Sequence, residues 1–333
     1  MPIKKKYITL IFAFFFLLFP SLVDAKQVYL GGDNIGIEIS NEGLVISGTY
    51  DVKSGRSIYN PSANSDIKKG DILLKIENSS VNTLEELLTY IKSNCKNKDS
   101  VSVTILRNGA AYQRTLKLIK DNSNSIKTGL YIKDSILGIG TVTYYDPQNQ
   151  IYGALGHEMS DSSSKKATFI DGTIYDSEVT QIKKSVNGDP GEKVATIDKE
   201  TILGDIQKNT VYGIYGSYVN VVKDKLIETA SIDEVIKGKA YIYTVVEKDK
   251  IDKFEIEITQ VKKQSSQDVK GITFKIVDKR LLNISNGVVA GMSGSPIVQD
   301  GKLVGAVTHV VVDNVQYGYG VFIDWMLEES QAL

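Results

Sequence analysis

Along most of this chain apolar and polar residues alternate instead of recurring every three or four positions. Val101-Ser102-Val103-Thr104-Ile105-Leu106, Phe254-Glu255-Ile256-Glu257-Ile258 and Ile272-Thr273-Phe274-Lys275-Ile276-Val277 all follow this rule. A period of two puts one face of a strand on a core and the other in water. Ile35–Ile39, Gly43–Ile46 and Ile72–Ile76 read as further short strands, and Leu137–Tyr145 and Ala240–Val246 are rich in β-branched and aromatic residues. Arg107-Asn108-Gly109-Ala110 is a hairpin turn. Helical signals are few. Asn82-Thr83-Leu84-Glu85-Glu86-Leu87-Leu88 starts a helix, with Asn82 or Thr83 as N-cap and carboxylates in the first turn. Trp325-Met326-Leu327 suggests a closing C-terminal helix whose large side chains belong to the core. The chain is therefore expected to be mainly β.

Asn122-Ser123-Asn124-Ser125 is a polar linker, so two folded units are expected, 27–120 and 126–333. In the first, the run Gly70-Asp71-Ile72-Leu73-Leu74-Lys75-Ile76 and the helix after it resemble an α+β PDZ domain. That likeness places Asn34, Ile35, Gly36 and Ile37 at a peptide-binding loop whose free N–H groups capture a terminal carboxylate. Gly31-Gly32-Asp33-Asn34-Ile35-Gly36 lacks the lysine and the strand-loop-helix setting of a phosphate loop. In the second unit, antiparallel strands punctuated by Gly and Asp turns have the texture of barrels.

Composition narrows the function. The chain has 333 residues and a formal net charge of −1, which gives no electrostatic footprint for nucleic acid. Lys4-Lys5-Lys6, the apolar stretch Ile8–Phe19 and the small-residue site Val23-Asp24-Ala25 have the three parts of an export signal, so residues 1–25 are expected to be a signal peptide or membrane anchor. The single Cys95 forms no internal disulfide and reads as a buried small hydrophobe.

The strongest chemical signal is Gly291-Met292-Ser293-Gly294-Ser295-Pro296. Its glycines free backbone N–H groups to converge beside a serine hydroxyl, as acyl transfer requires, and the N–H groups of Gly291 and Ser293 form the expected oxyanion hole. The run resembles the Gly-Asp-Ser-Gly-Gly-Pro element of chymotrypsin-like serine proteases. On that resemblance Ser293 is the nucleophile and Ser295 is not. The chain has two histidines. His157 follows Gly156 in a tight-turn setting and lies upstream of the serine, as a general base should in the order His, Asp, Ser. His309 follows a strand-like run and reads as structural or cleft-lining. Asp278, at the end of an alternating run, is the candidate carboxylate for orienting the histidine, with Asp161 and Asp313 in reserve. It also suits a local role, accepting N–H bonds in the turn Asp278-Lys279-Arg280.

Other chemistries have less support. His157-Glu158-Met159-Ser160-Asp161 lacks the second histidine of a zinc peptidase, so no metal or other cofactor is expected. No lysine sits beside the serine in a Ser-Lys hydrolase motif. A catalytically inactive docking protein remains the competing class.

Tyr152-Gly153-Ala154-Leu155-Gly156-His157, the serine run, Gly305-Ala306-Val307-Thr308-His309-Val310 and Gly318–Leu327 resemble the stage IV sporulation protein B family of serine peptidases over essentially the whole chain. The resemblance implies a PDZ domain followed by a chymotrypsin-like double β-barrel. It implies a triad at His157, Asp278 and Ser293, and a functional threonine at Thr308, which would line the substrate cleft. Gly287, six residues before Ser293, takes the place of the acidic pocket floor of trypsin-like enzymes, so a basic P1 residue is not expected. Met292 replaces their zymogen aspartate, which removes that route of activation. The family implies export across the forespore inner membrane into the intermembrane space, self-processing, and cleavage of a membrane-associated regulator that leads to late sigma-factor activation.

Overall fold

The computed structural model describes residues 26–160, 169–219, 223, 226–263, 268–331 and 333. The expected export segment 1–25 and the reserve candidate Asp161 lie outside these residues. The expected helix runs over Leu84–Asn94. Thr83 is its cap: Thr83 Oγ1 accepts the Glu86 N–H at 3.1 Å, and the Glu86 carboxylate accepts the Thr83 N–H at 3.2 Å, a reciprocal capping box. The helix packs Leu87 and Ile91 against Leu44, Ile46, Leu73, Val101 and Val103, with Cys95 fully buried among them. Asn108 and Gly109 take positive φ of 52° and 80°, which is the backbone that a two-residue hairpin loop demands. These elements make the PDZ-like α+β unit.

The remaining strands form two barrels. In the first, Gly213–Ser217, Ile151–Ala154, Leu130–Asp146, Asn34–Thr49, Phe169–Lys183 and Glu192–Ile206 are hydrogen-bonded in that order. A bridge between Gly204 and Tyr218 and a Val219 N–H bond to Leu203 O bring the last strand back to the first. Its core holds Ile35, Ile37, Ile39, Val142, Tyr152, Ile174 and Ile214. The second barrel closes through Gly238–Val245, Ile251–Val261, Ile272–Ile276, Tyr317–Phe322, Lys302–Val310 and Pro296–Gln299. Phe254, Phe274, Ile242, Ile297 and Phe322 fill it. A further cluster, with Tyr144 and Tyr215 from one barrel and Leu303, Ala306 and Val321 from the other, joins them under the C-terminal helix Ile323–Ser330.

One boundary differs from the sequence expectation. Asn34–Thr49 is a single strand and not two, and its two halves serve different units. Residues 34–40 pair within the first barrel, whereas Leu44 and Val45 pair with Leu73 and Ile72 of the PDZ-like unit. Gly43, at φ 80°, marks the change, because a Cβ there would press on the Leu73 carbonyl. Gln27–Leu30 likewise pairs with Tyr144 and Tyr145 of the barrel. Residues 27–41 are thus built into the second unit, and the 27–120 division is crossed by continuous backbone.

Candidate active site

Gly291–Ser295 links a buried turn to the strand Pro296–Gln299, with Gly291 at φ 91° and Gly294 at φ 90°. Only glycine enters that region at no steric cost, and at Gly294 a Cβ would overlap the Thr141 carbonyl and the Leu155 main chain. The first barrel grips this loop: Thr141 N–H donates to Ser293 O at 3.0 Å, Thr141 Oγ1 to Gly291 O at 2.8 Å, and Thr143 Oγ1 to Gly294 O at 2.8 Å. In a trans peptide the N–H points opposite to the C=O, so whatever holds the carbonyl aims the N–H. Ala290 O accepts from Lys193 N at 2.9 Å and Met292 O from Ser295 N at 2.9 Å. These two bonds fix the peptides that carry the Gly291 and Ser293 N–H groups. Among the described residues neither N–H has an acceptor of its own. Both N–H groups are therefore held in place and unbonded among the described residues.

His157 is presented by two consecutive positive-φ residues, Leu155 and Gly156, both at 68°. Gly156 packs against Thr308 and Val321, leaving about 3 Å for a Cβ. Beyond the histidine, Asn209 brackets Met159, accepting its N–H at 2.9 Å and donating to its carbonyl at 2.7 Å. His157 Nδ1 lies 2.8 Å from Glu158 O. A carbonyl only accepts, so the neutral ring carries its hydrogen on Nδ1 and leaves Nε2 with a free lone pair. Burial pushes the imidazole below its ordinary 6.5, partly offset by the bond to Glu158, so the ring is neutral at neutral pH. It lies against His309, with ring centroids 4.9 Å apart. His309 is also pushed down, by desolvation first and then by His157 and Lys270.

A family model described as SpoIVB peptidase S55 matches residues 124–327, and a PDZ domain model matches 34–118. The chain belongs to the SpoIVB peptidase S55 family. It is a serine peptidase with a PDZ domain. Two solved structures are similar: the inactive form of a serine-to-alanine mutant of Rv3671c from M. tuberculosis H37Rv, and the active form of the Rv3671c protease. The first is 12% identical over 59% of this chain and 82% of its own, with a TM-score of 0.34. The second is 12% identical over 59% and 74%, with a TM-score of 0.29. No curated protein matches.

In this S55 peptidase the serine and histidine segments meet, but they are not yet engaged. Ser293 Oγ, half-buried, donates to Thr308 O at 2.8 Å, and no bond joins it to His157. Ser295 is fully buried and its Oγ has no partner among the described residues, so Ser293 is the accessible hydroxyl. Asp278 is not brought to His157. It caps the helix Lys279–Ser285, accepting the Arg280 N–H at 2.8 Å, pairing with the Arg280 guanidinium at 3.1 Å and accepting the Glu255 N–H at 3.4 Å. The bonds from Arg280 and Glu255 hold its carboxyl low, against the burial that would raise it. A capping position takes up the lone pairs that a triad carboxylate would offer the histidine, and Glu158 O meets Nδ1 instead.

Three further expectations change. Asn34, Ile35, Gly36 and Ile37 are not an open carboxylate loop, because they lie on a strand with both edges occupied. Ile35 pairs with Gly140 on one side and Asp176 on the other, and Ile37 with Gly138 and Ile174. Gly287 is buried, and a Cβ there would collide with the Val315 carbonyl, so it faces protein and not an open pocket. Thr308 gives its hydroxyl to Val269 O at 3.0 Å and meets Ser293 only through its carbonyl.

Sequence inspection missed the residues that support the serine loop and the histidine turn. Thr141, Thr143 and Asn209 are ordinary in sequence, and Lys193 looks like a solvated charge. In the fold Lys193 is 4% exposed and lies under Gly291. A cavity of about 940 Å³ lined by Tyr241, Tyr243, Lys239 and Lys253 lies elsewhere, with neither Ser293 nor His157 in its wall.

Proposed function

We propose that this S55 peptidase is an exported endopeptidase of sporulation signalling. It processes itself and cleaves a membrane-associated regulatory protein in the forespore intermembrane space, which leads to late sigma-factor activation. The family name supports the biological setting, and the serine loop supports the chemistry. The carrying observation is that the two peptides bearing the Gly291 and Ser293 N–H groups are held at their carbonyls, with both N–H groups free beside an accessible hydroxyl.

In the proposed mechanism Ser293 Oγ rotates off Thr308 O and attacks the scissile carbonyl while His157 Nε2 takes its proton. The Gly291 and Ser293 N–H groups hold the oxyanion, a stabilisation worth about 3 kcal/mol per donor where it has been measured in other serine peptidases. His157 returns the proton to the leaving amine, and water then releases the acyl group by the same steps. The Glu158 carbonyl holds the tautomer that this needs, and Asp278 stabilises the turn. With Asn34–Ile37 closed, any partner of the PDZ-like unit docks elsewhere on it.

The test is self-processing of the full chain, followed on a gel beside Ser293→Ala and Ser295→Ala, with a supplied peptide as second substrate. Processing lost in Ser293→Ala and kept in Ser295→Ala supports the proposal. Processing unchanged in Ser293→Ala refutes Ser293 as the nucleophile, with loss only in Ser295→Ala moving it to Ser295, and a wild type inert on both substrates refutes the proposal in favour of an inactive docking protein.

A further inference from the structure

Lys193 is the second residue of the strand Glu192–Ile206, just after a turn that docks onto the serine side of the molecule. In that turn Ser185 Oγ donates to Val288 O at 2.7 Å and accepts the Gly191 N–H at 2.8 Å. The strand then runs beside Ala290 in a parallel bridge at Glu192. The aliphatic stem of Lys193 lies directly beneath Gly291, where a Cβ would sit 3.0–3.1 Å from its Cβ, Cγ and Cδ. The amine ends in a polar pocket, 3.3 Å from Asn34 Oδ1, 3.2 Å from Thr141 Oγ1 and 3.0 Å from Thr244 Oγ1. Among the described residues no carboxylate pairs with it, and burial alone brings the amine down to about 7.

The directions of these bonds follow from their other partners. Asn34 Nδ2 donates to Ser177 Oγ at 2.7 Å, so Oδ1 faces the lysine and only accepts. Thr141 spends its one hydroxyl hydrogen on Gly291 O, so it accepts from Nζ. Thr244 has no second partner among the described residues, so its hydroxyl accepts from an ammonium or donates to a neutral amine. The network is complete in either protonation state. A buried amine without a counter-ion is costly, and an apolar side chain would fill the space at less cost. What the amine adds is direction: Thr141 is turned so that its hydrogen meets Gly291 O.

We propose that Lys193 is a positioning residue of the peptidase site. Its main-chain N–H, kept in any side-chain variant, holds the Ala290–Gly291 peptide. Its amine turns Thr141 onto Gly291 O and so holds the Gly291–Met292 peptide, which lies between the two peptides that carry the oxyanion donors and sets their aim before substrate arrives. This rests on the reading of Ser293 as nucleophile. Donors aimed in advance stabilise the transition state more than the bound substrate, so their loss lowers kcat and leaves KM in place.

The test uses the full chain, a peptide substrate and a peptide boronate, which mimics the tetrahedral intermediate. Lys193→Met and Thr141→Val are each expected to lower kcat about 10²-fold with KM little changed. The boronate Ki should rise in parallel with the loss of kcat/KM. Thr141→Ser, which keeps the hydroxyl, is expected to stay near wild type, and the double variant to be no worse than the worse single variant. Should Lys193→Met fail to fold, the Thr141 pair still decides. Thr141→Val at the wild-type rate, or a rise in KM with kcat intact, overturns the proposal while leaving Ser293 as nucleophile. A wild type silent in turnover and unlabelled at Ser293 by a fluorophosphonate overturns the peptidase mechanism itself, and this inference with it.

Discussion

Two stretches of this chain were expected to offer free backbone N–H groups, Gly291–Ser293 to an oxyanion and Asn34–Ile37 to a carboxylate, and only the first keeps such groups out of the strand ladders. The glycine conformations at 91° and 90° keep Gly291–Gly294 out of any ladder, while neighbouring hydrogen bonds hold each peptide by its carbonyl. Gly36, by contrast, sits in extended backbone between two antiparallel neighbours, so its glycine serves packing against Ile197. A glycine in sequence announces an unusual need at that position. Whether the need is a turn, a close approach or a free donor depends on what lies on either side of it.

The largest effect should come from Gly294→Ala. The added methyl overlaps the Thr141 carbonyl in a backbone region that alanine avoids, so activity is lost and unfolding in urea shifts by several kcal/mol, roughly 3 or more. A variant of wild-type stability would break the contrast at once. Ser293→Ala should lower kcat by about 10⁴-fold or more while costing about 1 kcal/mol, since it removes one hydrogen bond to Thr308 O.

Gly36→Ala probes the other side of the comparison. Its methyl would sit 2.5 Å from Ile197 Cγ2, an overpacking that costs about 1–3 kcal/mol. The loss should appear in urea denaturation; a variant of unchanged stability that selectively loses peptide binding would restore Asn34–Ile37 as a peptide loop. Asp278→Asn should be milder still, because asparagine caps as well as aspartate. Turnover within about tenfold of wild type is expected, against about 10⁴ for a carboxylate that orients the base. Finally, kcat/KM should rise with pH through a midpoint below 6.5, because the base must be neutral and burial depresses His157. The same depression makes folding less favourable as pH falls below the unfolded value, where the denatured ring takes up a proton that the native ring resists.

Much of the fold was legible because alternation reports burial locally. The strands around Val101, Phe254 and Ile272 lie where their pattern put them, and the Thr83 cap and the Asn108-Gly109 turn follow from side-chain chemistry within a few residues. The serine loop stood out for the same reason, since its glycines and serine are contiguous. Long-range facts were not. Asp278 is an N-cap as readily as a triad member, and only the position of Arg280 and Glu255 in the fold separates the two. Lys193 lies about a hundred residues before the loop that it supports, on the long hairpin Phe169–Ile206, whose largely exposed surface hides its role. Ile35–Ile37 read as part of a loop because the strands that cover both of their edges come about a hundred or more residues later.

The central claim is that Ser293 is a nucleophile activated by His157 beside prepared oxyanion donors. Its most direct test is to treat the full chain with a fluorophosphonate and map the adduct by mass spectrometry in wild type, Ser295→Ala and His157→Ala. The account predicts an adduct on Ser293 in wild type and in Ser295→Ala, and its loss in His157→Ala. An adduct on Ser295, or labelling of Ser293 indifferent to His157, would contradict it.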